Sequence, residues 1–99
     1  MNNSTIYPKR VQLRWRFEGN LNEYIAYHNP YTATISILNP VASEMFKLCD
    51  GENSIDDIVQ QIESMFDAPS IEVIKNDVEN FVSFLEKIGI IIMLSSERN

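Results

Sequence analysis

The first part of the chain alternates between apolar and polar residues, whereas the remainder follows a helical period. Within residues 11–17 every second residue is apolar, and the positions between them include Arg14 and Arg16. This alternation predicts a half-buried strand whose arginines lie on the solvent face. A second strand is predicted at about residues 23–28. A third, dense in β-branched residues, is predicted at residues 32–38.

The third predicted strand has an apolar face and a hydroxyl face, because neighbouring side chains of a strand point to opposite sides. The apolar face, which we expect to be buried, is formed by Ala33, Ile35 and Ile37. The hydroxyl face, which we expect to point outward, is formed by Thr32, Thr34 and Ser36. Short connections between the three strands predict an antiparallel meander, in which the third strand is an edge. This strand contains neither a proline nor a charge, the usual protections of an edge.

From residue 39 onward the apolar positions recur with helical spacing. Asn39, followed by a proline, is typical of a helix N-cap. Ser54 and Asp57 have the spacing of a capping box and predict the start of a second helix. Ser70 opens the longest helix, and Gly89 stands where a glycine commonly ends one. The apolar stripe of this third helix is wider than one core face requires.

The predicted fold class is therefore α+β, with a winged-helix-like order of three antiparallel strands in a β-meander followed by three α-helices. Residues 90–93 form an apolar run that can add a short C-terminal strand. We expect an N-terminal tail over residues 1–10, one domain over residues 11–94 and a C-terminal tail over residues 95–99. The pattern leaves open whether the C-terminal strand, or a second copy of the chain, covers the edge of the third strand.

The charge is distributed unevenly along the chain and argues against nucleic-acid binding. Residues 1–17 carry a charge of +4 from Lys and Arg, and residues 18–99 carry 4 − 14 = −10. Because residues 18–99 are this acidic, they repel phosphates, and we expect no nucleic-acid partner. The basic cluster near the N-terminus is either a solvated strand face or a contact for an acidic protein partner. Its members are Lys9, Arg10, Arg14 and Arg16.

Side chains that could carry chemistry are scarce. Cys49 and His28 are the single cysteine and the single histidine of the sequence, so no Cys/His cluster for zinc or an iron–sulfur centre exists. Three glycines cannot build a phosphate-binding loop. We therefore expect no catalysis, no cofactor and no metal site. A lone thiol is typical of a reducing compartment, and the apolar runs are too short for a signal peptide or a membrane span. These features predict a cytoplasmic protein with no membrane contact.

Several short motifs follow one another in a fixed order through most of the chain. They are Leu-Asn-Pro-Val-Ala at residues 38–42, Asp-Gly at 50–51 and Ser-Ile-Asp-Asp-Ile-Val at 54–59, with further matches between residues 65 and 91. This order resembles the PqqD-like family, the recognition elements of ribosomally synthesised and post-translationally modified peptides (RiPPs). The turn at residues 29–31 departs from the family pattern, because it lacks the glycine that is common there.

The resemblance implies a protein that binds the leader segment of a precursor peptide and delivers it to a modifying enzyme, often a radical SAM enzyme. It also implies a standalone element without catalysis of its own. The leader would be added as a strand beside the third strand and would lie along the third helix. Carried onto this sequence, the peptide-binding strand residues are Thr32, Ala33, Thr34, Ile35, Ser36 and Ile37. The corresponding helix residues are Lys75, Val78, Glu79 and Val82.

Two other function classes stay open at this point. A generic protein-interaction or homodimerisation module would use the same sheet edge for itself. A winged-helix transcription regulator is disfavoured, because the third helix carries more acids than lysines and would repel DNA.

Overall fold

The computed structural model describes residues 5–67 and 70–96. Of the two tails expected from the sequence, residues 1–4 and 97–99 lie outside the described range, whereas residues 5–10 form a strand and residues 95–96 end another. The described elements, in chain order, are β1 (Thr5–Arg10), β2 (Trp15–Glu18), β3 (Tyr24–His28), β4 (Ile35–Leu38), α1 (Pro40–Leu48), α2 (Ile55–Met65), α3 (Ile71–Lys87) and β5 (Ile91–Ser96). The predicted α+β order of three antiparallel strands, three helices and a C-terminal strand is confirmed.

Strands β2, β3 and β4 form one antiparallel sheet in that order. Trp15 pairs with Tyr27, and Tyr27 pairs with Ser36, so one row of partners crosses the sheet. Strand β2 begins at Trp15, later than the alternation predicts. The reason lies in the backbone, because the amides of Arg10 and Val11 donate to the carbonyls of Cys49 and Ile90 instead.

Strands β1 and β5 form a second, two-stranded antiparallel sheet. Strand β1 lies in residues that the sequence analysis assigns to the N-terminal tail. On the side away from β5 it forms one bridge, between Lys9 and Asp50, in which the Pro8 carbonyl accepts from the Gly51 amide. Proline is tolerated there because this second pairing is so short that a missing amide interrupts no continuous ladder. The C-terminal strand therefore pairs with β1 and leaves β4 uncovered.

The helix ends follow the sequence signals closely. The Asn39 side chain accepts a hydrogen bond from the Ala42 amide at 2.8 Å, and Ser54 and Asp57 form a reciprocal capping box. Helix α3 ends in a Schellman motif, in which the amide of Gly89 donates to the Glu86 carbonyl and the amide of Ile90 to the Leu85 carbonyl. Gly89 adopts a φ of +84°, which favours glycine.

The core lies between the inner face of the three-stranded sheet and the helices. Phe46 of α1 is its centre, with its ring stacked on Tyr27 at 5.6 Å and edge-on to Trp15 at 5.7 Å. Ile25 is also fully buried in this cluster, and α2 and α3 close it with their apolar stripes. The helices therefore cover one face of the three-stranded sheet, and no described helix covers the other face.

Candidate functional site

The open edge of strand β4 is the first feature of the site. Strand β4 pairs with β3 on one side, and no other described strand pairs with it. Unpaired backbone groups along such an edge are a template for another strand. The tertiary structure thus answers the question that the sequence pattern left open about β5.

The backbone groups of Ile35 and Ile37 point away from β3. In an antiparallel ladder the N–H and C=O of successive residues alternate in direction. The His28 amide donates to the Arg14 carbonyl on the β2 side, whereas the Asn29 amide donates to the Thr34 carbonyl on the β4 side. Alternation then directs Tyr27 toward its partner Ser36, and Ser36 toward Tyr27. Ile35 and Ile37, on either side of Ser36, present their N–H and C=O groups to the open edge.

The faces of β4 are reversed relative to the expectation from the sequence. Ile35 is 59% exposed and Ile37 is 68% exposed, whereas Ser36 and Leu38 lie on the core side. The register explains this, because Ser36 and Leu38 pair with the buried residues Tyr27 and Ile25. The expectation that the isoleucines are buried and the hydroxyls point outward was therefore wrong.

The first three strand residues of the predicted site lie in a turn. The Asn29 side chain accepts from the amides of Tyr31 and Thr32, and Ala33 has a φ of +60°, so the backbone cannot yet be extended there. Strand β4 begins at Ile35, three residues later than predicted. Thr32, Ala33 and Thr34 consequently form the tip of the β3–β4 hairpin, and Ile35, Ser36 and Ile37 form the strand.

The four predicted residues of α3 divide into two groups. Val78 and Val82 are 0% and 1% exposed and belong to the core. Lys75 and Glu79 are exposed and line a shallow cavity of about 270 Å³ that also includes residues of β1 and the start of α2. The fold does not bring the strand residues and these helix residues together in any described cavity.

Sequence reasoning assigned no role to two exposed aromatic side chains, Tyr31 in the β3–β4 hairpin and Phe84 on α3. Phe84 of α3 lies on the helix about 180° around from Lys75, as nine residues at about 100° each require. Tyr31, at the hairpin tip, lies against Gly89 just beyond α3. The wide apolar stripe of α3 was the sequence signal for an exposed Phe84. The position of Tyr31 had no such signal, because it depends on packing against Gly89, which is distant in sequence.

The reactive side chains of the described residues are poorly placed for catalysis. Burial raises the pKa of the Cys49 thiol to about 12, partly offset by the nearby Arg10 guanidinium. A neutral buried thiol is a poor nucleophile. Within residues 5–67 and 70–96, no group of three His, Cys, Asp or Glu residues could hold a metal ion. No helix in the same ranges is long and apolar enough to cross a bilayer.

The cationic cluster predicted from the sequence is divided by the fold. Arg10 Nη1 donates to the carbonyls of Phe46 and Lys47 at 2.6 and 3.0 Å and to that of Cys49 at 3.2 Å. It therefore satisfies the free carbonyls at the end of α1. Arg16 forms an ion pair with Glu18, and Arg14 is exposed. Arg10 is thus a structural residue, and Arg14 and Arg16 form the exposed part of the cluster.

Comparison with known proteins gives a family. No curated protein and no solved structure matches the chain significantly. The family model described as coenzyme PQQ synthesis protein D (PqqD) matches residues 29–91, from the β3–β4 turn to the start of β5. Members of this family are non-catalytic accessory proteins that bind peptides in RiPP biosynthesis and interact with modifying enzymes. The chain belongs to the PqqD family, and its general role is that of a peptide-binding accessory protein of RiPP biosynthesis.

Proposed function

We propose that this chain binds the leader segment of a precursor peptide by β-strand addition to β4 and delivers the precursor to a modifying enzyme. The observation that carries the proposal is the open edge of β4, where the N–H and C=O groups of Ile35 and Ile37 point away from β3. Main-chain hydrogen bonds there would give affinity without requiring a particular leader sequence. Following the family resemblance, we propose a radical SAM enzyme as the recipient.

Side-chain selectivity in this proposal comes from residues on both sides of the added strand. On the outer face the leader would lie beside Ile35 and Ile37. On the inner side we propose Tyr31 and Phe84 as its apolar wall, since both are exposed and Tyr31 lies against the end of α3. Lys75 and Glu79 stay proposed contacts for a longer leader that continues toward β1. Val78 and Val82 would act only by supporting α3 from the core.

Delivery requires no chemistry from the chain itself. A leader held on β4 raises the effective concentration of the attached core peptide at the enzyme. Ordering a disordered leader costs conformational entropy, so we expect a dissociation constant in the micromolar to sub-micromolar range, about −8 to −10 kcal/mol.

The experiment is a binding titration with a proline scan of β4. The probe is a fluorescein-labelled synthetic peptide with the leader sequence of a candidate precursor, chosen by searching for a short reading frame beside the gene for this chain. The readout is fluorescence anisotropy. The I37P variant removes a donor that faces the open edge, so we expect at least about a tenfold loss of affinity with an unchanged circular dichroism spectrum. The I37V variant keeps the donor and is the matched control.

A second proline checks the register itself. Ser36 donates toward Tyr27, so S36P should lower the free energy of unfolding rather than act on binding alone. If I37P is folded and binds the leader as tightly as I37V does, docking on β4 is wrong.

The second candidate function is homodimerisation, in which β4 of another copy of the chain pairs with the same edge. The exposed Ile35 and Ile37 favour this alternative, because pairing would cover them. Light scattering across a range of concentrations separates the two. A dimer that persists on dilution and dissociates in I37P would support homodimerisation as the function of the edge, whereas a monomer that binds leader supports our proposal.

A further inference from the structure

The outer face of the three-stranded sheet, on the side away from α1, has an ordered arrangement of side chains. One row of paired residues crosses it from Arg16 through Ala26 to Ile37. The neighbouring row crosses from Arg14 through His28 to Ile35, since His28 pairs with Ile35 and its amide donates to the Arg14 carbonyl. The face therefore has aliphatic side chains along β4, arginines along β2 and shorter or flatter side chains between them.

This arrangement makes the face concave. A cavity of about 610 Å³ is lined by Arg14, Arg16, Ala26, His28 and Ile35 of this face, together with Leu13, Trp15 and Tyr27. Ala26 is only 4% exposed and forms its floor, because the larger side chains in its row stand on both sides of it. Large exposed isoleucines that border a concave surface are typical of a binding site.

The charge of this face is opposite to that of the rest of the chain. Residues 18–99 carry −10, whereas the outer face carries Arg14 and Arg16. Glu18 partly neutralises Arg16 through an ion pair. Among the described residues no ion pair involves Arg14, so its charge is available to a partner. Lys9 of the same sequence cluster lies elsewhere, against Gly51.

We propose that the outer face binds a segment of a second protein that carries an aliphatic side chain next to acidic ones. The aliphatic group would lie over Ala26 against Ile35 and Ile37, and the carboxylates would reach Arg14 and Arg16. A second copy of this chain is a poor occupant, because face-to-face pairing places four arginines on one interface. Strand addition would place the leader on the side of Ile35 and Ile37 away from Ala26, whereas the second segment would lie on the side toward Ala26 and the arginines, so both sites can be filled at once.

The test maps binding by amide chemical shifts of the ¹⁵N-labelled full chain. The probe is a short synthetic peptide with the repeat Asp-Leu-Glu-Ile, and the control probe has the repeat Lys-Leu-Lys-Ile. We expect the acidic probe to shift the amides of Arg14, Arg16, Ala26, His28 and Ile35, and the basic probe to leave them unchanged. Shifts confined to other parts of the chain, or equal shifts with both probes, would overturn the proposal.

Charge reversal provides the second measurement. The double variant R14E/R16E should lower the affinity for the acidic probe by about tenfold or more and should create binding of the basic probe. The matched control is K9E/K87E, which changes the net charge equally at two exposed residues, one in β1 and one in α3. If this control lowers the affinity for the acidic probe as much as R14E/R16E does, the effect comes from net charge and the outer face is not the site.

A third variant tests the apolar part of the face. Filling the floor with A26V should weaken binding of the acidic probe while Arg14 and Arg16 stay in place. Unfolding in urea checks that the sheet is intact. The leader titration under Proposed function distinguishes the two proposals, because R14E/R16E should leave leader binding to β4 unchanged and I37P should weaken it at least about tenfold.

Discussion

The backbone amide of Ile25 donates a 2.8 Å hydrogen bond to the hydroxyl of Ser43, one turn into α1. The same hydroxyl donates to the carbonyl of Leu38 at 3.1 Å, at the end of β4. One buried side chain thus joins α1 to two neighbouring strands. It also accounts for the Ile25 amide, which would otherwise be an unpaired donor in the core.

Replacing Ser43 by alanine should therefore destabilise the fold. The variant leaves the buried Ile25 amide without an acceptor, and we expect a loss of about 1–3 kcal/mol in the free energy of unfolding. Urea denaturation followed by circular dichroism measures it. The control is S83A, an exposed position of α3, where the change should stay within about 0.5 kcal/mol. Equal stability of S43A and S83A would contradict the assigned role of Ser43.

Arg10 should contribute to stability in a way that the other arginines do not. Its guanidinium caps α1 and lies over the rings of Trp15 and Phe46 at 5.5 and 5.3 Å. We expect R10A to lower the free energy of unfolding by about 1.5–3 kcal/mol. R10K should recover only part of this loss, because an ammonium lacks the planar set of donors of a guanidinium. The comparison is R14A in the same denaturation experiment. A loss in R14A as large as that in R10A would refute the cap.

The thiol of Cys49 should make stability fall at alkaline pH. Its pKa is raised from 9.0 to about 12 in the folded chain, so the folded state holds a proton that the unfolded state loses. The stabilisation is complete below pH 9 and declines between about pH 9 and pH 12. The difference in urea midpoint between wild type and C49A, followed over that range, isolates this group from the tyrosines. A constant difference would show that Cys49 titrates normally.

The same burial predicts that Cys49 is slow to react. A thiol reagent at pH 8 should label the native chain far more slowly than the chain in denaturant, because little thiolate is present and the side chain is enclosed. Rapid labelling of the native chain would contradict this.

Gly89 should resist substitution for two separate reasons. Its φ of +84° strains any L side chain, and an added Cβ would lie 2.9 Å from a ring carbon of Tyr31. We expect G89A to lower the free energy of unfolding by about 1 kcal/mol or more. In the Y31A background the steric part disappears and the backbone part stays, so the cost should be smaller but not zero. An identical loss in both backgrounds would show that Tyr31 does not contribute to the effect of G89A.

The sequence by itself determined the parts of this protein that depend on neighbours along the chain. Asn39, Ser54 and Ser70 act as N-caps and Gly89 ends α3, because capping involves residues three or four positions apart. The order of elements from β2 to β5 and the edge position of the third strand followed from the same local patterns, whereas β1 did not. The family could be named from motifs spaced along the chain, and the family model bears this out.

The tertiary structure alone decided which surfaces of those elements are free. In β4 both faces offer apolar residues, and only pairing with the buried Ile25 and Tyr27 turned Leu38 inward and Ile35 and Ile37 outward. The pairing of β5 with β1 and the burial of Val78 and Val82 are likewise long-range outcomes. Such choices rest on contacts between residues distant in sequence, which a periodic pattern does not encode. The sequence therefore predicted an edge strand, whereas the tertiary structure decided that β5 does not cover this edge and which side chains border it.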